Sequence, residues 1–181
     1  FQERNTGANI EEAWRRLDRV KHHCTGHDKK LVVYLSMGFG NPYGDAWSPQ
    51  VLGEFVDSLA ERIEPDVIAL SDTVGTATPE MIASAFQSTI PQFKHITFGA
   101  HLHAHPEEVK SKLQAAYDSG CRRFDGALRG IGGCPMAQNE LVGNIPTEHM
   151  VAHFTELNAW NLKNQRAWEH AMSIAVDLFQ T

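Results

Sequence analysis

Short apolar runs alternate with helical patterns at a nearly constant spacing, and this constrains the chain more than any other feature. The runs begin near residues 31, 66, 95 and 121, a repeat of roughly 30 residues, the size of one βα unit. Leu31-Val32-Val33-Tyr34-Leu35 and Asp66-Val67-Ile68-Ala69-Leu70 are almost continuously apolar, the pattern of strands buried on both faces. His95 to Ala100 reads as a third strand and Cys121 to Asp125 as a weaker fourth. Helical stretches lie between them. Ser48-Pro49 opens one that reaches Ile63, with proline at the first helical position, where its missing N–H costs nothing. Thr78-Pro79 opens a second to Ile90, and Pro106 a third that reaches Asp118 and stops at Gly120.

Strands separated by helices form a parallel sheet with the helices outside it. The pattern fits an open doubly wound sheet or part of an eight-fold βα barrel. A complete barrel takes roughly 250 residues, so four units are half of one. A helix over residues 10–23, capped by Asn9, precedes the βα units of residues 31–145, and two helices follow over residues 147–179, from Thr147 to Leu157 and from Leu162 to Phe179. The expected organisation is one domain over residues 1–181.

Composition narrows the function classes. With 42% hydrophobic and 21% charged residues in 181, the chain reads as globular rather than disordered. Sixteen Lys and Arg against 22 Asp and Glu give a net charge of −6 with no basic stripe, which argues against a nucleic-acid partner. The longest apolar runs, such as Leu31 to Leu35, are far too short to span a membrane. Three irregularly spaced cysteines (Cys24, Cys121 and Cys134) argue against a disulfide framework and for a reducing compartment.

The unusual residues share one location. Ser36 to Tyr43 follow the first strand, Ser71-Asp72-Thr73 closes the second, His101-Leu102-His103 the third, and Asp125 the fourth, ahead of Gly130-Ile131-Gly132-Gly133-Cys134-Pro135. In parallel βα folds the site lies at the carboxyl ends of the strands. His101 and His103 are two apart, so both imidazoles can face one ion, although two surface histidines would read the same way. Cys134 is either a small buried hydrophobe or a thiol that acts at the rim of a site. Asp72 is a helix-terminus anchor or a substrate-orienting carboxylate, and Asn144 a turn residue or an oxygen donor to a hard cation.

Taken together, Ser71-Asp72-Thr73-Val74-Gly75, Ala100-His101-Leu102-His103, Gly132-Gly133-Cys134-Pro135 and Gly143-Asn144 resemble the hydroxymethylglutaryl-CoA lyase family. That family belongs to a superfamily of metal-dependent barrel lyases and aldolases. The resemblance implies an α/β fold, a partial (β/α)8 TIM barrel holding strands five to eight as four parallel βα units plus C-terminal helices. His101, His103 and Asn144 would ligate a divalent metal, Mg²⁺ or Mn²⁺. Cys134, Asp72, His101 and Glu148 would be the catalytic group, and Thr73, Gly132 and Gly133 would contact an acyl-CoA substrate.

The implied reaction is cleavage of 3-hydroxy-3-methylglutaryl-CoA to acetoacetate and acetyl-CoA, a step of leucine degradation and ketone-body formation. It implies a cytoplasmic place, or the mitochondrial matrix in a eukaryote. Alternatives are a Claisen-condensing synthase or pyruvate-type aldolase of the same superfamily, or a non-catalytic metal-binding half-barrel. The family's aspartate metal ligand and its neighbouring arginine lie on early strands that this chain lacks, so the isolated chain is expected to be inactive. A missing N-terminal half-barrel or self-association is expected to cover the sheet edges. Ala104-His105 stands where the family has Asp-Thr, and Asn41 where better-known members have a cysteine.

Overall fold

The computed structural model describes residues 2–133 and 142–179. A short helix α1 (Gln2–Thr6) leads into α2 (Ile10–Gly26), three residues longer than its sequence pattern predicts. Then come β1 (Val32–Leu35), α3 (Pro49–Arg62), β2 (Val67–Ser71), α4 (Pro79–Thr89) and β3 (Thr97–His101). A two-residue strand β4 (His103–Ala104), α5 (Val109–Asp118) and β5 (Arg123–Asp125) follow. After a 3₁₀ turn at Leu128–Gly130, the described chain ends in β6 (Gly143–Asn144), α6 (Thr147–Glu156) and α7 (Gln165–Leu178).

The helices start where side chains can accept from free backbone donors. The Ser48 hydroxyl accepts from Val51 N at 3.2 Å, and the Thr78 hydroxyl from Met81 N at 3.3 Å, each followed by proline at the first helical position. The helix after β4 begins at Val109 rather than Pro106, since residues 106–108 form a turn, and Glu108 at its start gives no side-chain cap. Leu52, Val56, Leu59 and Ala60 form the buried stripe of α3, and Ile82, Ala85, Phe86 and Thr89 that of α4. The stripe of α5 contains a lysine among its apolar members: Val109, Lys112, Leu113 and Ala116.

β1, β2, β3 and β5 form one parallel sheet in that order. Its helix-facing side is the core, where Ile68, Leu70, Phe98 and Ala100 meet Val56, Ile82, Phe86 and Leu113. Pairing puts Tyr34, Ala69, Gly99 and Arg123 side by side in one row of the opposite face, and Ser71, His101 and Asp125 in the next. The reading of the Leu31 run as buried on both faces is corrected here, since Tyr34 is 46% exposed on the inner face. Arg123 spans that row above Gly99. A Cβ built on Gly99 would lie 2.7 Å from an Arg123 guanidinium nitrogen. Arg123 donates to Asp125 Oδ2 at 2.9 Å and towards the Tyr34 hydroxyl at 3.4 Å, and that hydroxyl donates to the same Asp125 oxygen at 2.9 Å.

Candidate metal and active site

The site is built by a small ribbon added to the end of the parallel sheet. β4 continues the chain of β3 and pairs antiparallel with β6, so His103 stands directly opposite Asn144 and Ala104 opposite Gly143. Residues so paired have their Cα atoms about 4.5–5.5 Å apart. His101 and His103 turn their Nε2 atoms towards one another, 3.4 Å apart. The edge of the His101 ring meets Tyr34, with ring centroids 5.6 Å apart.

A cavity of about 400 Å³ opens over this group at the carboxyl ends of the strands. Tyr34 and Ser36 border it from β1, Ser71 and Thr73 from β2, and the two histidines from β3 and β4; Gly133 and Asn144 close it from the glycine-rich loop and β6. Two of these side chains hold a neighbouring loop. The Thr73 hydroxyl accepts from Met37 N at 2.9 Å, which leaves its own proton to donate into the cavity. The Asn144 amide donates from Nδ2 to Ile131 O at 3.0 Å, and its backbone N–H donates to Gly132 O. With Nδ2 engaged, its Oδ1 is left as the acceptor. Gly132 takes a left-handed φ of 84°, and a Cβ there would lie 3.2 Å from Asn144 Nδ2, so glycine permits the approach.

Two expected catalytic residues do not border the cavity. Asp72 is 2% exposed and turns away from the rim, accepting from Ala77 N at 3.1 Å and pairing with Lys112 Nζ at 3.2 Å. Burial raises its pKa, while Lys112 and the Ala77 amide pull it back. Glu148 accepts from Arg129 N at 3.0 Å, holding a residue in the left-handed region (φ 60°) at the start of the glycine-rich loop. Cys134 lies outside the described residues. Tyr34, Arg123 and Lys112 went unnoticed in the sequence: the tyrosine sits within an apolar run, and the two cations look like surface residues.

The histidine pair suits a cation. Burial lowers the pKa of both rings; that of His103, next to His101 and Lys112, falls to about 4. Both imidazoles are therefore neutral donors at neutral pH. Neither Nδ1 atom has a hydrogen-bond partner; with the ring protons on Nδ1 both Nε2 lone pairs face one point, where a cation can accept them, and with one proton on Nε2 the two rings hydrogen-bond to each other. Ligands about 2.1 Å from one ion and roughly at right angles stand about 3 Å apart, close to the spacing seen. Among the described residues no three His, Cys, Asp or Glu side chains gather around one point; Asn144 stands opposite His103 across the ribbon.

Comparison with known proteins gives the family. The family model described as HMGL-like matches residues 7–175. The chain belongs to the HMGL-like family. An (R)-citramalyl-CoA lyase of Chloroflexus aurantiacus is 36% identical over 128 residues, covering 69% of this chain and 39% of its own length. A mitochondrial hydroxymethylglutaryl-CoA lyase of Rattus norvegicus is 27% identical over 157 residues, covering 87% of this chain and 48% of its own. The crystal structure of an HMG-CoA lyase from Brucella melitensis superposes with a TM-score of 0.86 at 22% identity, over 99% of this chain and 62% of that one. The fold of this HMGL-like chain is thus the α/β fold of that barrel, and the chain spans about half the length of the curated relatives it matches. No helix among the described residues is long and apolar enough to cross a membrane.

Proposed function

We propose that this HMGL-like chain supplies the metal-binding half of a carbon–carbon lyase that cleaves 3-hydroxy-3-methylglutaryl-CoA to acetoacetate and acetyl-CoA. The observation that carries the reading is the convergence of His101 and His103 Nε2, 3.4 Å apart and opposite Asn144, at the carboxyl ends of the strands. Those three residues would hold Mg²⁺ or Mn²⁺, which when bound acidifies the substrate hydroxyl and offsets its carboxylate charge. Thr73 has a hydroxyl proton to donate to the substrate, and Gly132 and Gly133 let the acyl group approach the backbone. Asp72 is committed to Lys112, which leaves His101, the more open of the two rings, to take the hydroxyl proton, a role its Nε2 can play only while it is not ligating the metal. The electron pair of the broken carbon–carbon bond passes to the acetyl-CoA carbon. Cys134 is assigned the proton that completes that product, and Glu148 supports the loop that carries it.

The greater identity to a citramalyl-CoA lyase favours a second reading, with an acyl group one methylene shorter. Product analysis separates the two, because the shorter substrate releases pyruvate in place of acetoacetate. Under either reading the barrel has to be closed. The outer edges of β1 and β5 have no strand partner among the described residues, and unpaired edges recruit strands. An N-terminal half-barrel or a second copy of the chain is the proposed cover.

Mn²⁺ titration of the chain by calorimetry tests the site: the His101→Ala, His103→Ala double variant should lose binding. Unchanged binding in that variant would overturn the assignment. The 181-residue chain assayed alone should release no acetoacetate, because electrostatic groups carried on the remaining strands typically contribute about 10²- to 10³-fold in rate each. Robust release would show that the chain needs no further half.

A further inference from the structure

We propose that Lys112 is the positioning residue of the histidine pair: its buried ammonium fixes the backbone from which His103 projects, and so sets the direction of the imidazole. The inference rests on the reading of that pair as a metal site. Lys112 lies on α5, within the stripe of residues that packs against the sheet, and is 1% exposed. A side chain of this kind usually reaches for solvent. This one turns inward and spends its three donors on three partners from two other segments. It donates to Asp72 Oδ2 at 3.2 Å, to Gly75 O at 3.0 Å and to His103 O at 3.0 Å. An ammonium has three protons, so it is saturated, and the Glu108 carboxylate lies 3.5 Å away as a partly exposed counter-charge.

The three bonds tie the turn after β2 to β4 behind the cavity. Gly75 belongs to that turn, with a φ of 74°, and a Cβ there would lie 2.3 Å from Val142 Cγ1 and 3.6 Å from His103 Cβ. The turn therefore packs against the stem of His103 while Lys112 holds the carbonyls of both. β4 is only two residues long, too short to fix its own orientation through ladder bonds. Partners behind metal ligands commonly change metal affinity 10- to 100-fold when they are removed.

An alternative role for Lys112 is neutralisation of Asp72 alone. The two roles separate in variants of the whole chain. Lys112→Met by itself strands a buried carboxylate and can unfold the protein. The pair Asp72→Asn, Lys112→Met removes both charges together, which interiors tolerate far better. Asp72→Asn keeps the ammonium and its bonds to the two carbonyls, with the Glu108 carboxylate, 3.5 Å away, as its remaining counter-charge. Expected Mn²⁺ dissociation constants lie within about twofold of the parent for Asp72→Asn and at least about tenfold higher for the double variant. Parental affinity in the double variant would overturn the proposal, as would a loss in Asp72→Asn equal to that of the double variant.

The metal-free protein gives a readout independent of Mn²⁺. Nuclear Overhauser contacts between the two imidazole rings should persist in Asp72→Asn and vanish in the double variant. Ring contacts that survive in the double variant would refute the positioning role even if the parent bound no metal, an outcome that would count separately against the metal site itself.

Discussion

Cys121 shows how far the surroundings can silence a reactive side chain. It is fully buried, its thiol donates to Arg123 O at 3.2 Å, and burial pushes its pKa up to about 12. The thiolate is the reactive form, so at pH 8.5 almost none exists. Cys24 is half-buried. With iodoacetamide under native conditions, mass spectrometry should find Cys24 modified and Cys121 intact until urea unfolds the chain. Modification of both at one rate would mean that the strand end around Cys121 opens readily. The same contrast between residue type and surroundings applies to Asp72. A strand-end carboxylate reads equally as a helix-terminus anchor or a group for substrate, and the partner that commits it, Lys112, is 40 residues away. No local spacing announces that pair.

At the level of elements, the starts of the helices carry much of the specification. Ser48→Ala removes the bond from Val51 N at the start of α3, and such a loss costs typically about 1 kcal/mol. Equilibrium unfolding in urea should show that decrease with an unchanged slope; parental stability would mean that Pro49 alone defines the start. The alternation of strands and helices was legible because buried parallel strands are apolar runs and Ser-Pro and Thr-Pro pairs mark helix starts. The ribbon of β4 and β6 was not. Each strand has two residues, and their pairing joins His103 to Asn144 across the intervening α5 and β5. His101 and His103 were readable as a pair from their spacing, whereas Tyr34 and Arg123, which meet over Ala69 and Gly99, needed the register of four strands. The start of α5 is displaced from Pro106 to Val109 because the residues after the proline form a turn before the helix begins.

Considered as a whole molecule, the described chain is a sheet held to its three crossover helices through one face. Phe86 on α4 is fully buried and meets Phe39, in the loop after β1, with ring centroids 6.2 Å apart. Phe86→Ala should cost about 3–5 kcal/mol, a large part of the 5–15 kcal/mol typical of a domain. Urea unfolding followed by circular dichroism should show a midpoint far below that of the parent. A change under about 1 kcal/mol would mean that α4 contributes little to the common core.

The parity of β3 bears on how such a chain can change over generations. Thr97, Gly99 and His101 face one way, Phe98 and Ala100 the other, and of the five only His101, in the first set, borders the cavity. Replacing one apolar side chain of the second set with another of similar size alters packing and leaves both imidazoles where they are. Losing or gaining one codon within 97–101 would turn every later side chain over and send the histidines towards the helices. The same event in the turn at residues 91–95 could be absorbed before the strand begins. Length inside the strand is therefore held fixed while its spelling can drift, and insertions that survive should collect in the turns at the amino ends of the strands.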